Sequence, residues 1–400
     1  TITLGEAKKR KMELMVYIIH IIESFAGGSL DVVRALTLIK QTPQKKPISH
    51  IVIHGCRPDS PQDSHAGFDD DVQLIPWPFV SREINLVQDF RSLNAILGIL
   101  RQQPKDAILH LHSSKAGFLG RLAATILGRK KYTVYTPHSV AMLRQDISNG
   151  KRQLYTLLER LAALGSGKVV ACSLSEQKLL KQLDIAALLV NNGISDPFSS
   201  RVTPKTGLGK ILALGRLTLQ KDPACYEKIV QQAQLGVHFT WVGDGELRSV
   251  FANSPVDVTG WLSQSEVIDY LQKADVLIST SRWEGLSLAT LQAMACGLPL
   301  LLRRCAGNID LLERQGTGCA KLPRPAPRGH ARSAGRLSGL WFGGEETARY
   351  IGDQCAANAA PCGSVAMKIR PPGMSIGGWM IVPPSSATLA AAASRSWTRT

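Results

Sequence analysis

The stretch Ser281-Arg282-Trp283-Glu284-Gly285-Leu286-Ser287-Leu288 sets one carboxylate and one glycine just before a helix that opens with small residues. The first backbone N–H groups of a helix have no partner within it. Together with the helix dipole they favour an anion such as a phosphate. A carboxylate that close to a phosphate serves best as an acceptor for neutral donors, the hydroxyls of a sugar joined to the anion. Two cations can grip the same anion: Arg216 as a planar fork and Lys221 as a point charge, both at the exit of the apolar run Ile211-Leu212-Ala213-Leu214. His138, in Thr136-Pro137-His138, closes another short apolar run, and the carboxyl end of a parallel strand is where doubly wound sheets hold their ligands. His110 and His112, two apart on a strand, point the same way, which makes a metal conceivable. No third ligand is suggested nearby, so they read as buried hydrogen-bonding histidines and no metal is expected.

Such residues need short strands alternating with helices to position them. Residues 16–22 form a β-branched run, and Gly27 and Gly28 follow in a turn into a helix over 30–40, where two glycines let backbone approach something bulky or anionic. Strands are expected over 48–55, 72–75, 107–112, 131–136, 168–172 and 187–190, with a polar surface loop over 57–71. Helices are expected over 84–101, 113–127 and 153–164, and after Ser173, whose spacing to Glu176 fits a capping box. A second series places strands over 210–217, 238–242, 256–258, 274–279 and 298–302, and helices over 225–235, 263–272 and from Leu288 to the stop at Cys296-Gly297 and Pro299. This alternation implies an α/β protein with parallel sheets.

Four hundred residues suffice for two cores, and 47 Lys and Arg against 31 Asp and Glu leave a formal charge of +16. An excess of base suits nucleic acid, an anionic membrane surface or phosphorylated ligands. The clusters Lys8-Lys9-Arg10-Lys11 and Arg129-Lys130-Lys131 lack the interleaved aromatics of a nucleic-acid platform, so membrane surface or diphosphate ranks first and no nucleic-acid partner is expected. Eight cysteines with no C-x-x-C pair read as reduced thiols of a cytoplasmic protein. The apolar run over 15–22 is too short to cross a bilayer and no cleavage site follows it; residues 1–11 read as a disordered leader. From Lys321 the vocabulary shifts to Pro, Gly, Ala, Ser and Arg without a sustained period, so 321–400 reads as a low-order tail with at most a short helix over 345–357. A changed reading frame or an unusual regulatory tail would each produce that shift.

Taken in order, these motifs resemble those of the family 4 glycosyltransferases of the GT-B fold. Glu284 and Gln292 occupy the two positions of the family's E-x7-E signature, with an amide in place of the second carboxylate. Gly215-Arg216-Leu217 with Lys221 resembles G-R-L-x3-K, Thr136-Pro137-His138 resembles T-x-H, and Gly243-Asp244-Gly245-Glu246 resembles the loop at the nucleotide base. The resemblance spans 12–320. It implies two doubly wound Rossmann-like domains facing across a cleft: an acceptor-side domain over 12–195, a linker over 196–209 and a donor domain over 210–320, the last incomplete because the irregular C-terminal tail over 321–400 does not match the family. It also implies transfer of a sugar from a UDP- or GDP-sugar with retention of configuration and with neither metal nor cofactor. In that picture His138 and Glu284 meet the reacting sugar, while Arg216, Lys221, Gly285, Leu286, Ser287 and Leu288 meet the diphosphate. Gln292 takes the ribose, Gly243 lies at the base, and Gly27 and Gly28 lie opposite the phosphates. The segments 23–29 and 110–121 resemble O-antigen-type transferases, which implies a lipid-linked saccharide acceptor and a cytoplasmic protein held peripherally at the anionic inner membrane. A nucleotide-sugar epimerase on the same fold and an inactive nucleotide-sugar-binding remnant are the rival readings.

Overall fold

The computed structural model describes residues 15–56, 65, 67–81, 84–165, 167–194, 209–233, 236–317, 375–376 and 379–382. The expected leader, most of the 57–71 loop, nearly all of the 196–209 linker and the 345–357 helix lie outside those residues. Two compact units divide between Gly193 and Ile194.

The first unit runs β1 (Val16–Ile22), α1 (Gly28–Thr37), β2 (Ile48–Gly55), β3 (Gln73–Trp77), α2 (Leu86–Arg101), β4 (Ile108–His112), α3 (Ser114–Ile126), β5 (Thr133–Thr136), α4 (Asn149–Gly165), β6 (Lys168–Ala171), α5 (Leu174–Gln182) and β7 (Ala187–Leu189). Its strands pair in the order β3-β2-β1-β4-β5-β6-β7, all parallel. The chain winds outward from β1 to β3 and then returns to β4, so the order reverses between β1 and β4, the place where such sheets open a crevice. Ile19 and Ile21 from β1, Ile51 and Ile53 from β2, and Leu109 and Leu111 from β4 fill the core beneath. The edge strand β3 runs on through Pro76, as an edge needs no N–H from that residue.

Arg121, the last residue of the 110–121 segment, is a structural pin. It is almost fully buried, donates Nη2–H to Glu159 Oε1 at 2.7 Å and Nε–H to Gly117 O at 2.8 Å, and lies 4.2 Å from the centre of the Tyr135 ring. Tyr135 OH in turn donates to Glu159 Oε2 at 3.3 Å, so α3, α4 and β5 are fastened at one point.

The second unit runs β8 (Lys210–Leu214), α6 (Pro223–Gln231), β9 (His238–Val242), β10 (Val256–Val258), α7 (Gln264–Lys273), β11 (Val276–Ser279), α8 (Leu288–Ala295), β12 (Leu300–Arg303), α9 (Ala306–Thr317), β13 (Ser375–Ile376) and β14 (Trp379–Val382). The order is β10-β9-β8-β11-β12-β14-β13, parallel through β12 and antiparallel beyond it. The same reversal falls between β8 and β11. Tyr226 meets Phe239, Trp241 and Phe251 edge-on in the core, and α7 opens with a complete Ser263–Glu266 capping box.

Two expectations about the tail and the basic clusters are corrected here. The tail contributes structure: β14 pairs with β12 in the register Leu300↔Val382 to Arg303↔Trp379, because the short run Trp379-Met380-Ile381-Val382 is strand-forming even though the composition around it is not. Arg129 is no surface charge. It is buried, with Nη2 on the carbonyls of Leu100 and Gln103, and closes the end of α2.

Candidate active site

The exits of β8 and β11 are stitched together. After β8 the chain turns at Gly215, whose N–H bonds to Val242 O at 3.0 Å, and Leu217 N–H bonds to Asp244 O at 2.9 Å, so Arg216 stands beside the 243–245 loop. Gly243, with φ 129°, is there because a Cβ on it would lie 2.3 Å from Gly215 O. Four residues on from Leu217, Lys221 Nζ pairs with Glu284 Oε1 at 2.6 Å. Arg282 N–H bonds to Gln220 O at 2.8 Å, Gln220 Nε2–H to Trp283 O at 3.0 Å, and Thr280 Oγ1–H to Lys221 O at 2.5 Å.

Beneath this pair, buried Asp222 accepts from Arg282 Nε at 2.8 Å and Nη2 at 3.2 Å, and from Arg303 Nη1 at 2.7 Å. Asp222 also caps α6 before Pro223, in the left-handed region at φ 52°. Gly285 and Leu286 follow Glu284, and Ser287 caps α8 by accepting from Thr290 N–H. Gly307 in α9 lets the Gly285 loop come close: a Cβ there would lie 2.2 Å from Gly285 O. Leu288 starts α8, and Gln292 lies half-buried on its second turn.

The pairing of Lys221 with Glu284 revises the division of labour in the sequence reading, which gave the ammonium to a phosphate and the carboxylate to a sugar as separate contacts. The ammonium has three donors, so one bond to Glu284 leaves two for an anion.

In the first unit the polar residues gather at the ends of β1, β4 and β5. Gly27 caps α1 at φ 66° and Gly28 begins it; Glu23 Oε2 accepts Ala116 N–H at 3.0 Å and ties this turn to the start of α3. His138 and Ser139 hold φ 56° and 108°, unfavourable for side chains larger than glycine. Glu176 holds them there. Fully buried, it accepts Ser139 N–H at 2.8 Å and Val140 N–H at 3.1 Å on Oε1, and Cys172 N–H at 2.8 Å on Oε2. Only the first half of the expected Ser173–Glu176 box therefore forms, Ser173 Oγ accepting Glu176 N–H at 3.2 Å; the carboxylate is spent on the His138 loop instead. Burial pushes the Glu176 carboxyl above its usual range, against the three N–H bonds that favour its ionised form.

The expectation that His110 and His112 stand without a third partner is overturned: His20, opposite His110 in the register of β1 and β4, brings its ring within 4.8 Å of both through potential ligand nitrogens. Burial lowers the pKa of all three, His110 to about 4, and for His20 and His112 the neighbouring histidines lower it further. His110 Nε2 bonds to Thr136 Oγ1 at 2.9 Å, and His112 Nδ1 to His138 Nε2 at 2.8 Å.

The structure thus brings Arg216, Lys221, Gly243, Glu284, Gly285, Leu286, Ser287 and Leu288 to one edge of the second sheet, with Gln292 a turn further on. Gly27, Gly28 and His138 lie at the corresponding edge of the first. Sequence reasoning missed Gln220, Asp222, Arg282, Arg303, Glu176, His20 and His50. Asp222 before Pro223 was a readable helix start. The others depend on strand register, which no local motif encodes.

Two successive doubly wound units of this kind, with their polar residues at the carboxyl ends of the strands, are the GT-B class of fold. Residues 21–192 match the family model described as a glycosyl transferase 4-like domain, and residues 210–337 the one described as glycosyl transferases group 1. The chain thus carries two glycosyl transferase domains in succession, and the second match runs on past Lys321. It is 28% identical over 279 residues to an Escherichia coli UDP-Gal:alpha-D-GlcNAc-diphosphoundecaprenol alpha-1,3-galactosyltransferase, covering 62% of this chain and 71% of that one. It is 26% identical to the O-antigen biosynthesis glycosyltransferase WbnH of Escherichia coli over 60% of this chain and 70% of the relative. Among solved structures, Anabaena HepE in complex with UDP and glucose superposes with a TM-score of 0.56 at 16% identity, over 74% of this chain and 83% of that one.

Proposed function

We propose that this glycosyltransferase moves a sugar from a nucleoside diphosphate donor onto a saccharide carried by a lipid diphosphate, with retention at the anomeric carbon and without a divalent cation. The observation that carries the reading is the Lys221–Glu284 contact of 2.6 Å, next to the Arg216 turn and the first turn of α8. In the reaction the bond from C1 to the β-phosphate oxygen breaks and a bond from C1 to the acceptor hydroxyl oxygen forms on the same face. The hydroxyl proton passes to the departing phosphate oxygen. Negative charge grows on the diphosphate, where Arg216, Lys221 and the opening N–H groups of α8 each lower the barrier by roughly 2–4 kcal/mol in a dry site. Glu284 accepts from hydroxyls of the sugar, His138 bonds near the reacting centre, and Gln292 bonds the ribose as acceptor and donor.

The donor and acceptor of the Escherichia coli galactosyltransferase support a uridine donor and a lipid-linked acceptor. Contact with the anionic inner membrane is supported by α4, where Leu154, Leu157, Leu161 and Leu164 are exposed at three- and four-residue spacing on a helix that also carries Lys151, Arg152 and Arg160. No helix among the described residues is long and apolar enough to cross a membrane. The test is a panel of UDP- and GDP-sugars with a lipid-diphosphate saccharide, in EDTA, with the product anomer assigned by NMR. An inverted product, or turnover that returns only with added magnesium, would sink the mechanism. For the membrane, Leu157→Glu with Leu161→Glu should release the protein from anionic vesicles at low salt.

A further inference from the structure

Four histidines, from within β2 and β1, from the end of β4 and from the exit of β5, form an unbroken hydrogen-bonded row in the first unit. His50 Nε2 lies 2.8 Å from Ile39 O, His50 Nδ1 3.1 Å from His20 Nε2, His20 Nδ1 3.2 Å from His112 Nε2, and His112 Nδ1 2.8 Å from His138 Nε2. The far end, His138 Nδ1, is buried and has no hydrogen-bond partner among the described residues, and the same is true of the adjacent Ser139 Oγ.

A backbone carbonyl can only accept, so His50 must carry its proton on Nε2. A neutral His50 then offers a bare Nδ1, to which His20 must donate from Nε2. The same step repeats at His112 and at His138. We infer that Ile39 O, through His50, His20 and His112, fixes His138 as the Nε2–H tautomer, so that His138 Nδ1 is a hydrogen-bond acceptor for a hydroxyl of the bound sugar. His50, His20 and His112 are positioning residues, and His138 is the group that touches substrate. That the hydroxyl belongs to a sugar rests on the transferase reading; the tautomer does not.

The inference requires all four rings to be neutral, since an imidazolium inside the row would reverse the direction of every bond beyond it. Burial favours the neutral form in each, and His138 is lowered to about 3. The charged groups that face the row at its outer end, Lys40 and Asp71, are bonded to each other at 2.6 Å. The strained backbone at His138, held by the Glu176 carboxylate, adds a second constraint on where the ring can sit.

Long-range proton–nitrogen NMR of the protein labelled with 15N-histidine reads the tautomers without any substrate. At neutral pH we expect His50, His20, His112 and His138 each to be bare at Nδ1 and protonated at Nε2. A proton on His138 Nδ1, an imidazolium in the row, or zinc bound at one equivalent and lost on His110→Ala would each overturn the inference. His50→Asn keeps an acceptor oxygen near the position of Nδ1 and should preserve the His138 tautomer. His50→Leu removes it and should give a mixture of tautomers, with kcat about tenfold lower and donor KM little changed. An unmixed tautomer in His50→Leu counts against the row. Addition of a UDP-sugar should move the His138 Nδ1 resonance; binding that leaves it unmoved overturns the hydroxyl contact. Failure of every sugar nucleotide to bind, with the tautomers in place, rejects the transferase reading and leaves the lock standing.

Discussion

The two sheets share the order of their first five parallel strands and a reversal point, yet their carboxyl edges are built from opposite materials. The first ends a row of imidazoles, none of them hydrogen-bonded to a carboxylate among the described residues; the second is lined by ion pairs, Lys221 with Glu284 and Asp222 with two arginines. The difference suits a reaction in which negative charge accumulates on one partner and a cationic centre forms on the other. Fixed cations belong where the leaving group departs. On the proposed reading an imidazolium next to an electron-poor ring carbon would be repulsive, and burial, which favours the neutral form of each ring in the row, disfavours it.

The comparison predicts unequal consequences of mutation. Lys221→Ala should lower turnover by about 10²- to 10³-fold, read as kcat in steady state, because among the described residues no second ammonium meets Glu284. Near-normal kcat would mean the second edge is not where charge is stabilised. Asp222→Ala should cost about 3 kcal/mol in denaturant unfolding, since it leaves Arg282 and Arg303 without their shared carboxylate, with Asp222→Asn costing less. A loss under about 1 kcal/mol would show that solvent serves the arginines as well.

Acid should separate the two edges. Each histidine whose folded pKa is depressed binds fewer protons folded than unfolded, so stability rises with pH in that window. The contribution is complete above the unfolded value near 6.5 and is lost as pH falls toward about 4 for His110 and about 3 for His138. The first unit should therefore melt progressively earlier between pH 7 and 5, whereas the described part of the second holds only His238. A melting temperature of the first unit that stays flat over that range contradicts the burial assigned to the row. The smallest effect expected is from Gly307→Ala, about 1–3 kcal/mol with a raised donor KM, since its Cβ must displace the Gly285 carbonyl.

Much of the second edge was legible in the chain, because its parts are local. A strand, a turn with Glu284 and Gly285, and a capped helix are written in consecutive residues, and Arg216 and Lys221 share one strand exit. What escaped was whatever depends on pairing between distant strands. His20 meets His110 only because β1 and β4 align in that register. Asp222 meets Arg303 across 81 residues. Arg129 looked like surface charge because a cluster of basic residues does not reveal which member turns inward. The 110–121 segment resembles O-antigen-type transferases, but its arginine is a packing element fixed by Glu159, 38 residues away.

The pairing of β14 with β12 has a consequence for anyone trimming this protein. Without Trp379–Val382, β12 would present an open row of amides and carbonyls carrying Leu300, Leu301 and Leu302, a flat and greasy border that other copies could adopt. A cut placed anywhere before residue 375, chosen because the composition there looks dispensable, should yield a protein that self-associates, and its insolubility would say nothing about the catalytic machinery.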